Sequence, residues 1–319
     1  MSKQTVFIIG AGGMVGATAA QALAIKEVVS NIVLIDVAQD LVRGQAMDIN
    51  HATAYTNGVH VRAGDYSEIR QDDIVVITCG LAQKPGQPRL ELLEQNADIV
   101  RDVVGKIMAQ GAPVYILMVA NPVDILTQVA LEASGLPKER VFGTGTTLDT
   151  ARLRVALANA LHVSQQAIEA YILGEHGDSS FPALSHATVG GVPLRSFPGF
   201  NEHIVATIDQ DIRDSAYKII AAKKSTYYGI GHVVAKIVEA MMHDAGSVFP
   251  VCSLTSGEYG LRGVVIGLPS LVSSKGVRIL DGYPLSVAEK QRLHDSANVI
   301  KNAAKTKSSN KRTAVTAMA

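Results

Sequence analysis

The chain lacks an excess of charge of either sign. Its 29 basic and 29 acidic residues leave a formal net charge of zero, which argues against a broad nucleic-acid footprint or attraction to an anionic membrane surface. Any anion site must be local. Cysteine is scarce: Cys79 and Cys252 lie far apart in apolar surroundings, where such residues pack as small hydrophobes more often than they bridge. That usage fits a reducing, cytoplasmic setting. Long hydrophobic runs are missing too, since stretches such as residues 114–120 are strand-length, against the roughly 20 residues that span a bilayer. The opening Met1-Ser2-Lys3-Gln4 leads directly into a strand-like segment, without the apolar region and cleavage site of a signal peptide. No repeat of solenoid period occurs. The only low-complexity segment is the small, polar, basic tail at 305–319, expected to fray.

What is present is the profile of a folded protein: 319 residues, 47% apolar and 18% charged, enough for one large core or two domains. Residues 5–9 form a β-branched apolar run, followed by GAGGMVG at 10–16 and a helical stretch at 17–26. This is the strand, glycine turn and helix of a phosphate-binding unit, in which free backbone N–H groups and the helix dipole attract a pyrophosphate. The glycines fall as Gly10, Gly12 and Gly16, or, counted back from Gly16, as Ala11, Gly13 and Gly16; the sequence leaves open which of them touches phosphate. A second strand at 31–35 ends at Asp36, about 20 residues after Gly16, where an acidic residue meets an adenosine ribose. That carboxylate would repel a 2′-phosphate, and Val37-Ala38-Gln39 supply no cation, so NAD is expected rather than NADP.

Further strands are expected at 59–63, 74–79, 114–120 and 141–142, alternating with helices at 41–49, 90–109 and 122–133. Continuous Val/Ile runs mark strands buried on both faces, hence a doubly wound parallel sheet with helices outside and ligands at the strand ends, where Gly80, Asn121 and Thr144 stand. Between them, GLAQKPGQPRL at 80–90 has the composition of a lid, with Arg89 as a charge to carry inward. Asn121-Pro122, at a strand end beside the crevice, is expected to be cis. Strict alternation ends near 143–145, which places an α/β dinucleotide-binding domain at 1–143 and an α+β domain at 144–319. The second holds a helix from GTGTTLDTARLR to about Leu161, strands at 170–173, 186–189, 263–268 and 277–280, and helices at 201–224, 227–243 and 285–304. On the first helix Asp149 and Arg152 share a face while Arg154 points elsewhere. The 170–173 strand delivers GEHGDS at 174–179, whose two glycines free the backbone to place His176, an imidazole able to exchange a proton near neutral pH.

GAGGMVGAT with Asp36, the QKPG…R loop, VANPVD, GTGTTLDTARLR, GEHGDS and STYYGI at 225–230 together resemble the L-lactate and malate dehydrogenase family, in order, from about Thr5 to Ala304. The resemblance implies a Rossmann NAD domain followed by a catalytic domain, and NAD as cofactor. It implies cofactor contacts at Gly10, Gly12, Gly13, Val15, Gly16, Asp36, Tyr66, Gly80, Leu81, Val119 and Asn121. His176 looks like the family's proton donor and acceptor, Asp149 like the carboxylate that orients it, and Arg152 like the guanidinium that grips the substrate carboxylate. Arg89 resembles the lid arginine that polarises the reacting carbonyl. Asn121, Asp124, Gln83 and Thr226 complete the implied substrate site, and no metal is implied. Gln83 brings no second cation and Thr226 suits a small methyl, so pyruvate and L-lactate are expected. The alternatives are malate or branched-chain L-2-hydroxy acids, or, in a different class, an inactive NAD-binding structural protein. Homotetrameric assembly and a part in cytoplasmic glycolysis and pyruvate fermentation are further implications. Relatives activated by fructose 1,6-bisphosphate carry an Arg and a His at a subunit interface. Here Arg154 matches the first, but Glu169 takes the place of the second and should repel the ligand.

Overall fold

The structure, a computed structural model, describes residues 5–81 and 89–316, with only the backbone described for residues 89, 90, 206, 213 and 305–316. In chain order the first part holds β1 (Thr5–Ile9), α1 (Met14–Ile25), β2 (Asn31–Ile35), α2 (Gln39–Ala52), β3 (His60–Ala63) and β4 (Ile74–Ile77). It continues with α3 (Arg89–Met108), β5 (Tyr115–Met118), α4 (Val123–Ser134) and β6 (Val141–Gly143). The second part begins with α5 (Thr147–Leu161), β7 (Ile168–Leu173), β8 (Phe181–Val189), β9 (Val192–Pro193), α6 (Glu202–Lys223) and α7 (Tyr228–Met242). It ends with β10 (Ser247–Phe249), β11 (Cys252–Ser256), β12 (Arg262–Gly267), β13 (Ser270–Ser273), β14 (Gly276–Ile279) and α8 (Val287–Thr316).

The main sheet has the order β12-β11-β6-β5-β4-β1-β2-β3, with β1 to β6 parallel throughout. The expected doubly wound arrangement is therefore present, and the strand order reverses between β1 and β4. Successive side chains on a strand point to opposite faces, and here each face has its own core. Phe7, Ile9, Val75 and Ile77 pack on one side with Leu93, Ala97, Val100 and Val104 of α3 and with Leu126 and Val129 of α4. Val6, Ile8, Ile74 and Val76 pack on the other with Leu23 of α1, Val42 of α2, and Val234 and Val238 of α7. The α3 positions recur at four- and three-residue spacing, the stripe of a helix laid on a sheet. A third core joins Leu153 and Leu157 of α5 to Ile168, Ala170 and Ile172 of β7 and to Leu184 of β8.

The sheet does not stop where βα alternation stops. β11 pairs antiparallel with β6 at Cys252 and Gly143, and β12 pairs antiparallel with β11, so two strands from the second part extend the first part's sheet. β10, β11 and β13 are short strands with no sequence expectation attached, and β8 starts five residues before the stretch anticipated at 186. α8 runs to Thr316 rather than ending near Ala304; no Gly or Pro interrupts 287–316, so nothing local breaks the helix. The Asn121–Pro122 peptide is cis, as expected.

Candidate active site

The crevice where the strand order reverses is lined by the glycine loop. Gly10 has φ +86°, and a Cβ there would stand 2.6 Å from the Cys79 backbone nitrogen, so the turn out of β1 admits only glycine beside the end of β4. Gly16 lies under the same turn: a Cβ would meet Ala11 Cα and Gly10 O, each at 2.8 Å, which lets α1 close on the strand. Gly12 abuts Asp36, donating its N–H to Oδ2 at 2.9 Å. Gly13, by contrast, is exposed and stands at the N-terminus of α1, where no side chain caps the first turn. Those uncapped N–H groups suit an anion. Asp36 is fixed by accepting from Gly12 and, through Oδ1, from Ala38 N at 2.9 Å. The loop and the carboxylate therefore fit a dinucleotide: room and donors at Gly13, and an anchored acid at the ribose distance. Val15 lies in the first turn of α1, Val119 is buried just past β5 in the core on one face of the sheet, and Tyr66 is half-buried against the core on the other.

At the ends of β4 and β5 a residue that no motif announced joins two that the sequence singled out. Asn96, buried on α3, accepts Leu81 N at 2.7 Å, and its Nδ2 donates to Leu81 O at 3.3 Å and to Asn121 O at 3.2 Å. A Cβ on neighbouring Gly80 would lie 3.5 Å from Asn96 Oδ1, an ordinary contact. Asn121 itself is exposed and lines a cleft of about 820 Å³. Leu92, Leu93, Pro122, Ile125, Tyr217, Val299 and Ala303 form the apolar walls of this cleft, and Glu175, His176, Gly177, Asp178 and Ser179 form its polar floor.

His176 reaches that floor by a chain of fixed points. β7 is tied to the start of α5 by Thr146 Oγ1, which donates to Ile172 O at 2.6 Å, and by Thr150 Oγ1, which accepts Ile172 N at 2.8 Å. Gly174, at φ +100°, then exchanges backbone hydrogen bonds with Gly267 at the end of β12, both at 3.0 Å. The next two residues present the imidazole to Asp149, in the first turn of α5, with Nδ1 at 2.6 Å from Oδ2. A helix N-terminus favours a carboxylate at that place. Burial alone would lower the His176 pKa, but the charge of Asp149 and its hydrogen bond more than offset it, and the pKa is raised to about 9. For Asp149 burial acts upward, and His176 and Arg152 together hold the carboxyl below its usual range. Arg152 Nη1 donates to Asp149 Oδ1 at 2.7 Å, so His176, Asp149 and Arg152 form one connected group.

Asp124, fully buried on α4, accepts the His176 backbone N–H through Oδ2 at 2.8 Å, and its Oδ1 has no hydrogen-bond partner among the described residues. Burial pushes its carboxyl up to about 7, opposed by that N–H and by the imidazole charge. Thr226 stands half-buried in the link between α6 and α7 and is not among the residues lining the cleft. Gln83, with the rest of residues 82–88 of the lid, lies outside the described residues, as does the side chain of Arg89, whose backbone opens α3. Arg154 points away from this group, as its position on α5 suggested, reaching Glu169 at 3.4 Å and lying over the Tyr171 ring at 5.2 Å. Among the described residues no cluster of three or more His, Cys, Asp or Glu could hold a metal, and no helix is long and apolar enough to cross a membrane.

The sequence model of the lactate/malate dehydrogenase NAD binding domain matches residues 4–143, and that of the family's alpha/beta C-terminal domain matches residues 146–310. The chain is 44% identical to an L-lactate dehydrogenase of Kosmotoga olearia over 306 residues, covering 93% of this chain and 94% of the relative. It is 41% identical to L-lactate dehydrogenase 2 of Lactococcus lactis, covering 94% and 97%. Its fold is similar to the crystal structure of a minor L-lactate dehydrogenase from Enterococcus mundtii in a ligands-bound form, at TM-score 0.92 and 40% identity over 96% of this chain and 99% of that one.

Proposed function

The chain belongs to the lactate/malate dehydrogenase family, and from that premise we propose that it is an NAD-dependent L-lactate dehydrogenase, interconverting pyruvate and L-lactate. The observation that carries this reading is the His176–Asp149 pair at 2.6 Å on the floor of a cleft that also exposes Asn121. A carboxylate at contact distance keeps the imidazole protonated and fixes Nδ1 as the atom it holds, leaving Nε2 for the substrate oxygen.

Each site residue then has a physical task. Gly13 and the first turn of α1 take the pyrophosphate, Asp36 the ribose, and Val15, Tyr66, Gly80, Leu81 and Val119 surround the remainder of the dinucleotide. NADH, when bound, supplies the hydride. His176 donates its proton to the carbonyl oxygen of a 2-oxo acid in reduction and takes it back from the hydroxyl in oxidation. Arg152, held by Asp149, turns its remaining N–H groups to the substrate carboxylate, a two-bond grip that lysine cannot reproduce. Asn121 donates to the substrate oxygen, and Arg89 polarises it from the lid. Gln83 offers no charge to a second carboxylate, which favours pyruvate over oxaloacetate, and the small Thr226 is assigned to the substrate site by resemblance alone. Asp124 holds the backbone of His176 in place. We read the enzyme further as a cytoplasmic homotetramer serving pyruvate fermentation, with no nucleic-acid or membrane partner.

Steady-state rates with NADH on pyruvate, oxaloacetate and 2-oxoisocaproate test the reading directly. The highest kcat/KM is expected on pyruvate. A higher value on oxaloacetate or 2-oxoisocaproate would replace the substrate assignment while leaving the reaction class in place.

A further inference from the structure

We infer that Ser296, on α8, is a positioning residue for His176: its buried hydroxyl fixes the GEHGDS segment to the helix that walls the cleft. This rests on the reading of His176 as the proton donor and acceptor. Ser296 has no exposed surface, and its Oγ accepts the N–H of Glu175, the residue immediately before His176, at 2.8 Å. The same Oγ lies 2.9 Å from Ser179 Oγ, and Ser179 donates its own proton to the Glu175 carboxylate. Donor accounting then assigns the Ser296 proton to Ser179, so the hydroxyl accepts on one side and donates on the other. The hydrogen bonds form a closed circuit that spans the segment before and after the imidazole.

The anchor is closely fitted on both sides. A Cβ on Gly174 would stand 2.7 Å from Ser296 Oγ, so position 174 admits no side chain while the hydroxyl occupies its place. From the opposite side, Asp124 on α4 holds the N–H of His176 itself, at 2.8 Å. The two consecutive N–H groups at Glu175 and His176 are thus gripped by side chains from two different helices. Val299 and Ala303 follow Ser296 by three and seven residues, share its face of α8 and line the cleft. One helix face therefore sets both the cleft wall and the place of the proton donor.

The effect of Asp149 on the imidazole depends on contact distance, because the attraction between charges falls as they separate. Releasing the Glu175 N–H lets His176 drift from Oδ2 and titrate closer to an unperturbed imidazole. In Ser296→Ala the midpoint in kcat/KM for pyruvate, and the NMR titration midpoint of His176 assigned through His176→Asn, are both expected to fall from about 9 by about half a unit or more. kcat should drop on the order of tenfold, short of the roughly hundredfold that a 1 Å misplacement can cost. NADH affinity should hold, since the glycine loop and Asp36 belong to other elements. A lowered Tm with both midpoints unmoved would reduce Ser296 to a structural role and overturn the inference. Should the alanine variant fail to fold, Ser296→Cys, close in size and a weak acceptor, carries the same comparison. The NMR midpoint judges Ser296 whether or not pyruvate is the substrate. A parent without pyruvate reductase activity would overturn the functional reading on its own.

Discussion

At His176 two opposing influences meet. Burial disfavours the imidazolium and Asp149 favours it at 2.6 Å, and the outcome is a pKa of about 9. Reduction consumes the protonated form, so kcat/KM for pyruvate should stay level through neutral pH and fall as pH rises through about 9. Oxidation needs the neutral form, so kcat/KM for L-lactate should climb over the same interval. Initial rates from pH 6 to 10 in both directions check this; a parallel trend in the two would contradict a shared proton group. Asp149→Asn keeps the shape but removes the charge. With burial then largely unopposed, the midpoint should fall to the unperturbed value of about 6.5 or below it, and kcat should fall by roughly 10²–10⁴-fold as for loss of a positioned acid–base pair. His176→Asn should cost a similar factor while leaving NADH binding, followed by fluorescence, near that of the parent.

Among the elements, β1, its turn and α1 show what a sequence conveys locally. A β-branched run, glycines and an acid at the end of the next strand are short-range signals; the turn and Asp36 stand where they indicated, while the helix opens at Met14, inside the glycine run rather than after it. Asn96 and Ser296 gave no such signal, and Thr146 and Thr150 were present only as unassigned members of GTGTTLDTARLR. A lone Asn or Ser on a helix has no period, and its worth depends on what the fold brings to it: Ser296 meets Glu175 across 121 residues of chain. β11 escaped notice for the same reason, because a five-residue strand containing Ser253, Thr255 and Ser256 is recognisable mainly by its pairing with β6. Packing separates the glycines of this loop, with Gly10 and Gly16 each blocked by backbone and Gly13 left open to solvent. Gly10→Ala therefore places a Cβ 2.6 Å from a backbone nitrogen at φ +86°. The backbone conformation alone costs about 1–3 kcal/mol, so a lower Tm and weaker NADH binding are expected. Gly13→Ala, with its nearest neighbour at 3.4 Å, should leave Tm close to the parent.

In the whole molecule, the first part's sheet is completed by β11 and β12, so the dinucleotide crevice and the His176 loop are built on one continuous frame, with Gly174 bonded to Gly267 at its edge. Between α5 and β7, Arg154 is already engaged by Glu169 at 3.4 Å and lies over the Tyr171 ring. Glu169 is largely exposed, so the pair adds little to stability. Its effect on a ligand is larger: an anionic sugar bisphosphate seeking Arg154 must displace one carboxylate and then sit beside it. Fructose 1,6-bisphosphate is accordingly expected to produce no strong activation, and a severalfold drop in the half-saturating pyruvate concentration on adding it would contradict this. Glu169→Gln removes the competing charge while keeping the side chain's size. If that charge is what withholds Arg154, the variant should respond to millimolar sugar bisphosphate where the parent does not, and the response should weaken as ionic strength rises.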